Sequence, residues 1–284
     1  MPHAILDGRA LLSVAGEDAE TFLQSLVTTD LAALGKGEAK PGALLSPQGK
    51  ILFDFLIWRQ EDGFALECHT DIAADFLKRL MLYRLRAKVQ ISLLPQYVAA
   101  IAWGGDSPGS ETDSAQVRDR RFAEPVWRKA AEADAVPDGA GEWARLRISA
   151  GVAEAGSDYA LGDAFPHDVN LDQTGGLSFR KGCYVGQEVV SRMQHRGTAR
   201  RRVLIVHGKS PLPAPGTPVL AGERPVGELG TVSGADGLAL ARIDKVKDAM
   251  DAGQTITAGG VAILLTIPPG AGFGFPETAG GDGE

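Results

Sequence analysis

Apolar residues along the first hundred positions switch between two periods. Residues 10–14 form a short apolar strand candidate, and Gly16-Glu17-Asp18 opens the next segment. There Ala19, Phe22, Leu23 and Leu26 fall at i, i+3, i+4 and i+7, one face of a helix. Acidic residues in its first turn suit the helix dipole. Ala43 to Ser46 and Ile51 to Trp58 read as strands joined by the turn sequence Pro47-Gln48-Gly49-Lys50, and Phe64 to Cys68 continues the meander. From Asp71 to about Arg86 the helical period returns, with Ile72, Phe76, Leu77, Leu80 and Met81 as the apolar stripe and Thr70 as the expected N-cap. Lys88 to Leu94 and Tyr97 to Trp103 are expected to pair as strands. This order predicts an α+β fold, with helices packed on a largely antiparallel sheet.

Periodicity fades beyond that point. Residues 104–116 and 132–142 read as surface loops, and Arg145 to Gly151 resumes order. Gly162 to Arg180 reads as a long ordered loop, a kind that is often functional. After Arg202 short apolar runs alternate with Gly and Pro: Val203–Val206, Pro218–Leu220, Val226–Val232, Leu238–Ile243 and Val261–Ile267. Strands at that spacing predict a small barrel or sandwich. The expected organisation is an α+β region over 1–202, divisible at the loop near 104–142, a β-barrel over 203–269, and a Gly-rich, acidic, disordered tail over 270–284.

Composition narrows the class. With 44% apolar and 23% charged residues the 284-residue chain is ordinary for a globular protein. A net charge of −7 argues against a general nucleic-acid binder. Two cysteines suit a reducing compartment rather than a disulfide scaffold. No stretch reaches the apolar length that spans a bilayer. Folded-looking sequence starts almost at once, so no targeting peptide is expected and the cytoplasm is the expected location.

Candidate chemistry concentrates at Lys181-Gly182-Cys183-Tyr184-Val185-Gly186-Gln187-Glu188. A thiol acts as thiolate, which nearby cations favour, and Arg180, Lys181, Arg192 and Arg196 surround Cys183 in sequence. Gly182 and Gly186 permit positive φ or close backbone approach to a ligand. Cys68, in an apolar strand, reads instead as core filler. His167 and His195 flank the motif, so a Cys–His pair is conceivable. The stretch Arg192 to Arg202 is strongly basic and suits carboxylates or phosphates, with a solvated linker as the alternative. Asp54, between Phe53 and Phe55, faces solvent by alternation or meets a polar ligand. Asp168, Asn170 and Asp172 are further candidate contacts, although their spacing is incomplete for a calcium loop. There is no Walker loop, C-x-x-C pair or H-E-x-x-H.

The octapeptide closely resembles the signature of the YgfZ family, folate-binding proteins that assist iron–sulfur cluster assembly or repair. The likeness continues through Arg192-Met193-Gln194-His195-Arg196-Gly197, Pro166 to Asp172, Leu44 to Lys50, and Phe22-Leu23-Gln24 with Thr28-Thr29-Asp30. It implies the fold of the glycine cleavage aminomethyltransferase: a folate-binding α+β body with antiparallel sheets and packed helices, plus a small C-terminal β-barrel. It implies tetrahydrofolate or a derivative as cofactor, no tightly bound metal, and iron–sulfur client or scaffold proteins as partners. On that resemblance Cys183 is the key residue, a transient cluster ligand assisted by Lys181 and Arg192. Asp54, Asp168, Asn170, Tyr184, Gly186, Gln187, Glu188 and Arg196 are then the candidate folate contacts. Bacterial relatives also influence tRNA modification. Two positions depart from the pattern: Phe53 stands where the aminomethyltransferases carry a second acid, and Asp168 where the family usually has Glu. The alternatives are a folate-dependent aminomethyl transferase and an RNA-binding, tRNA-modification accessory module. Direct nucleic-acid binding and membrane association are not expected.

Overall fold

The computed structural model describes residues 2–94, 97–105, 116–131 and 135–276. The chain forms two compact units, each taken from two stretches: Met1–Trp143 with Leu171–Arg192, and Ala144–Asn170 with Met193–Glu284.

In the first unit the elements run β1 (His3–Leu6), β2 (Arg9–Ala15), α1 (Ala19–Gln24), β3 (Glu38–Leu45), β4 (Ile51–Gln60), β5 (Gly63–His69) and α2 (Thr70–Arg84). They continue with β6 (Gln90–Leu94), β7 (Ala99–Trp103), β8 (Val117–Asp119) and β9 (Val126–Ala130). Among the described residues these nine strands make one sheet in the order β1-β7-β9-β8-β3-β4-β5-β2-β6. β3 and β8 run parallel, and every other neighbouring pair is antiparallel.

The expected pairing of the 88–94 and 97–103 segments does not form. β6 pairs with β2 at one edge, where Leu93 and Ile91 stand opposite Leu12 and Val14 and extend the apolar face. β7 lies towards the other edge, between β1 and β9. Neighbours in sequence usually pair, but two apolar faces with different partners override that tendency. The short β8 and β9 carry charged residues and gave no sequence signal. The N-cap of α2 is His69 rather than Thr70, its Nδ1 accepting from the Asp71 N–H.

One face of the sheet is apolar and packs on α2. Phe53 and Phe55 stack on Phe76 with ring centroids 4.9 and 5.3 Å apart, and Leu12, Val14, Phe64, Leu66 and Cys68 join the same core. Each such side chain contributes about 1.5–3 kcal/mol on burial. The other face holds buried charge. Glu67 on β5 accepts from Arg9 Nε (2.9 Å), Arg128 Nη1 (2.5 Å) and the Tyr97 hydroxyl (2.9 Å). Arg128 on β9 also donates to Asp119 (2.9 Å), which Arg121 holds from the other side. A flat sheet would keep β9 and β5 roughly 19 Å apart, four strand spacings of about 4.8 Å. The arginine and glutamate chains cannot span that, so the sheet is strongly bent and its flanks share a polar interior.

Burial alone would raise the Glu67 carboxyl, but Arg128 and Arg9 outweigh it and hold the group below its ordinary range. Asp119, likewise opposed by burial, is brought down to about 2 by Arg121 and Arg128.

In the second unit a closed barrel has the order β10-β13-β12-β11-β14-β15. The remaining elements of the chain are α3 (Ala140–Ala150) and α4 (Gln187–Arg196), each of which begins in the first unit and ends in the second, then β10 (Arg201–Gly208), β11 (Pro218–Ala221), β12 (Arg224–Ser233), β13 (Asp236–Arg242), α5 (Ile243–Asp251), β14 (Ile256–Ala258) and β15 (Val261–Thr266). Pairing of β10 with β15 closes the ring. The 144–170 stretch groups with this barrel instead of with the residues before a single division near Arg202. Asp158 accounts for it: the carboxylate takes Arg147 Nη1 (2.7 Å) and the Thr231 N–H (2.7 Å), and a Cβ at Gly230 would lie 2.4 Å from Oδ1.

Four readings change. Residues 140–142, expected in a loop, begin α3, which also takes in most of the segment expected to be ordered from Arg145; residues 192–196, for which a linker was one alternative, complete α4; and α5 and β14 were not foreseen. The start of the expected disordered tail is ordered, since Phe273 and Phe275 pack against the barrel core and Arg202 lies 4.4 Å from the Phe273 ring centroid. Most of the loop at 104–116, and residues 132–134 and 277–284, lie outside the described residues.

Replacing Glu67 by Ala should destabilise the protein by about 3–5 kcal/mol, because Arg9 and Arg128 would stay buried without their carboxylate. Urea unfolding at neutral pH measures this. A loss under about 1 kcal/mol would mean the network does not hold the bend.

Candidate functional site

The segment 171–192 belongs to the first unit, and the site is built from how it is fastened there. Thr28, fully buried, does the first part: its Oγ1 donates to the Gly176 carbonyl (2.6 Å) and accepts from the Ala43 N–H (2.9 Å), while its carbonyl accepts from Ser178 N (3.0 Å). Lys181 does the second. Its Nζ donates to the carbonyls of Val27 (2.6 Å) and Thr29 (2.8 Å) and sits 5.4 Å from the centroid of the Tyr184 ring. Burial lowers the Lys181 ammonium to about 8, against an opposing pull from Asp30. Asp30 is itself fixed by Gln24, whose Nε2 donates to it at 3.0 Å.

The third fastening lies under the start of α4. Tyr184 N–H donates to Gln187 Oε1 (3.3 Å) and its carbonyl accepts from Gln187 N (3.2 Å), a capping arrangement that begins the helix. Gly186 has φ 80°, and a Cβ there would lie 2.5 Å from the Ser46 carbonyl oxygen. Only glycine lets the backbone approach the Ser46–Lys50 turn so closely. Gly49 in that turn faces Val189, which a Cβ would meet at 3.1 Å. Burial pushes the Tyr184 hydroxyl well above its ordinary range.

Between these fastenings Cys183 is exposed. Gly182 before it has φ 98° with open space where a Cβ would stand, so its glycine serves conformation, not room. The dipole of α4 puts partial positive charge at the far end of the loop. The arrangement presents a thiol to partners on a rigid mount, fitted for nucleophilic attack or for soft-metal ligation as thiolate. Cys68 is buried, and burial pushes its thiol up to about 12. It stays a protonated core residue.

The other sequence candidates are placed as follows. Lys181, expected beside the thiol, points its ammonium into the Val27–Thr29 backbone. Glu188, Arg192 and Arg196 are exposed along α4, in its first turn, middle and last turn. Asp54 is half-buried opposite Ala43, on the face away from the Phe53 and Phe55 stack. Asp168 and Asn170 belong to the second unit. There Asp168 accepts from Phe165 N (3.0 Å) and Arg201 Nη2 (2.8 Å), and Asn170, at φ 59°, donates to the Val203 carbonyl (3.0 Å). Their bonds order the loop against β10. In the same unit His167 bonds through Nε2 to Gln194 (3.0 Å), and Arg202 donates to the His167 carbonyl (2.7 Å). The basic stretch is thus divided: Arg201 and Arg202 are structural, while Arg192, Arg196 and Arg200 are exposed.

Thr28, Ser46 and Gly49 were not read as site residues. Their segments stood out as family matches, but their contribution is a hydroxyl and backbone atoms, which side-chain chemistry does not reveal. Among the described residues no group of three or more His, Cys, Asp or Glu is placed to hold a metal, and no helix is long and apolar enough to cross a membrane.

Lys181 titrates from about 8 in the folded chain against 10.5 ordinarily. Between those values the folded protein binds fewer protons than the unfolded one, so this group makes stability rise with pH. The stability of wild type relative to Lys181→Met should therefore climb from pH 8 upward and stay level below it. Urea midpoints across pH 7–10 test this, and a flat difference would contradict it.

Residues 200–273 match the family described as "CAF17, C-terminal beta-barrel domain". The chain is 33% identical to the human "Iron-sulfur cluster assembly factor IBA57, mitochondrial", over 93% of this chain and 83% of that protein. It is 31% identical to the mouse protein of the same name with the same coverage. It also superposes on the crystal structure of glycine cleavage system aminomethyltransferase T from Bartonella henselae, with TM-score 0.71 and 18% identity over 93% of this chain and 85% of that one. That likeness carries the fold alone, and it is the aminomethyltransferase-like fold expected from the sequence. The names overturn the cytoplasmic expectation, since both relatives are mitochondrial proteins.

Proposed function

The chain belongs to the CAF17/IBA57 family, and on that premise we propose that it serves iron–sulfur cluster assembly, with Cys183 meeting the cluster and a reduced folate bound in its α+β body. The likeness to YgfZ is narrowed accordingly, because the named relatives are IBA57 proteins. The observation that carries the reading is the exposed Cys183 thiol on a loop fastened on both sides. A cluster passing between proteins needs a thiolate that is reachable from outside and does not follow the cluster as it leaves. Thr28, Lys181 and Gly186 supply that fixity. Iron–sulfur clusters are commonly held by four cysteine ligands. Cys183 would contribute one, and the client or scaffold partner the rest.

Reduced folate, when bound, carries one-carbon units on its ring and bridge nitrogens. Asp54 fits such a group: it is a half-buried carboxylate beside the small Ala43, and a carboxylate there can accept from the pterin N–H groups. Tyr184, Gly186, Gln187, Glu188 and Arg196 remain candidates by resemblance. Asp168 and Asn170 fit less well, since Arg201 and the Val203 carbonyl already engage them. With Phe53 in place of a second acid, the chain lacks the carboxylate pair of a transferase.

Cys183→Ser should fail to restore iron–sulfur enzyme activity in a strain lacking this protein, while its melting temperature stays that of wild type. Full restoration by that variant would refute the role of the thiol. Titration calorimetry with tetrahydrofolate tests the second part: Asp54→Asn should weaken binding by about tenfold, roughly 1.4 kcal/mol. Equal affinity would remove Asp54 from the site, and absence of wild-type binding would remove the folate.

A further inference from the structure

Five of the eight large apolar side chains left exposed among the described residues lie between 81 and 94: Met81, Leu82, Leu85, Leu93 and Leu94. Single exposed leucines are normal on a protein surface, and cations at a helix C-terminus merely suit its dipole. The end of α2 goes beyond both. Leu82, 70% exposed, stands in the last turn of α2, and Leu85, 88% exposed, follows at the cap of the helix. Leu85 ends the helix at φ 43°, a positive φ that favours glycine. A branched side chain is held there at a strained φ and exposed to water.

Charge surrounds this apolar end. Arg79, Arg84 and Arg86 form no ion pair among the described residues, whereas nearby Lys78, Lys88 and Arg59 pair with Asp75, Glu17 and Glu20. Three uncompensated guanidinium groups within eight residues stand out in a chain of net charge −7. An open cavity of about 930 Å³ is lined by Arg84, Leu85 and Arg86, by the paired Glu17, Glu20, Arg59 and Lys88, and by Glu61 and Asp62 of the β4–β5 turn.

We propose that the end of α2 is a docking surface for an acidic, leucine-bearing segment of a partner protein. Carboxylates of that segment pair with Arg79, Arg84 and Arg86, whose forked donors suit them. An apolar side chain packs on Leu82 and Leu85 at the mouth of the cavity. Glu61 and Asp62 repel a carboxylate on the β4–β5 side and so orient the segment towards α2. The Cys183 loop takes no part, so the surface stands or falls independently of the cluster reading.

The test uses the full-length protein and two fluorescent helical peptides with identical leucine positions, one bearing Glu and the other Lys at its polar positions. In anisotropy titrations the Glu peptide should bind at least about tenfold more tightly than the Lys peptide, and less tightly as salt rises. Arg84→Glu/Arg86→Glu should reverse that preference. Leu85→Gly should weaken the Glu peptide by about fivefold while the melting temperature holds or rises, since glycine accepts the positive φ. Equal binding of both peptides, no saturation by the Glu peptide, or indifference to these variants would overturn the proposal. Two other results would also overturn it by naming a different occupant. One is co-sedimentation with phosphatidylserine vesicles that these variants abolish, without peptide binding. The other is a concentration-dependent dimer that they dissociate.

Discussion

The bent sheet of the first unit depends on an arginine that reaches across it. Arg128 stands on β9 and its guanidinium bridges Asp119 on β8 and Glu67 on β5, with all three side chains buried. Buried charges are tolerated only when paired and hydrogen-bonded. Here each carboxylate meets two arginines, and the Trp143 ring lies 5.1 Å from the Arg128 guanidinium. The ionic cluster fixes one curvature, because no other curvature brings the same groups within hydrogen-bond reach. On the opposite face Phe53 and Phe55 stack on Phe76.

That curvature gives the β3–β4 hairpin and the Val27–Asp30 segment a fixed place, and these are the mounts of the Cys183 loop. The loop is held mainly through backbone atoms: the carbonyls of Val27 and Thr29 accept from Lys181, the Thr28 carbonyl accepts from Ser178 N–H, and the Gly176 carbonyl accepts from the Thr28 hydroxyl. A mount of this kind leaves the Cys183 thiol exposed. It also explains the two glycines. Gly186 permits contact with the hairpin turn, and Gly182 permits the turn in the chain before Cys183.

Much of this was legible in the residues. The 3.6-residue stripe of Phe76 and Leu80 gave α2, the Pro47–Lys50 turn gave the β3–β4 hairpin, and evenly spaced apolar runs gave the barrel. Cys183 and Cys68 were told apart by their neighbours, glycine and charge against alternating apolar residues. Long-range pairing was not legible. β6 and β7 are close in sequence and far apart in the sheet, and nothing local marks which strand each will join. Helix α4 was hidden because Arg192, His195 and Arg196 make its exposed face polar, leaving Val190 as its one buried side chain.

The sequence by itself determined the alternating faces, the turns and a cysteine set among glycines and charges, since these follow from periods of two and 3.6 and from residue chemistry within a few positions. Only the tertiary structure decided what Lys181, Asp168 and Asn170 do. Lys181 was a plausible partner for the thiol and proves to brace backbone carbonyls, while Asp168 and Asn170 were plausible ligands and prove to tie a loop to the barrel. A charged or amide side chain can satisfy its hydrogen bonds with a ligand, a neighbour or the backbone. Which of these it meets is fixed by contacts between residues distant in the chain, and so by the fold.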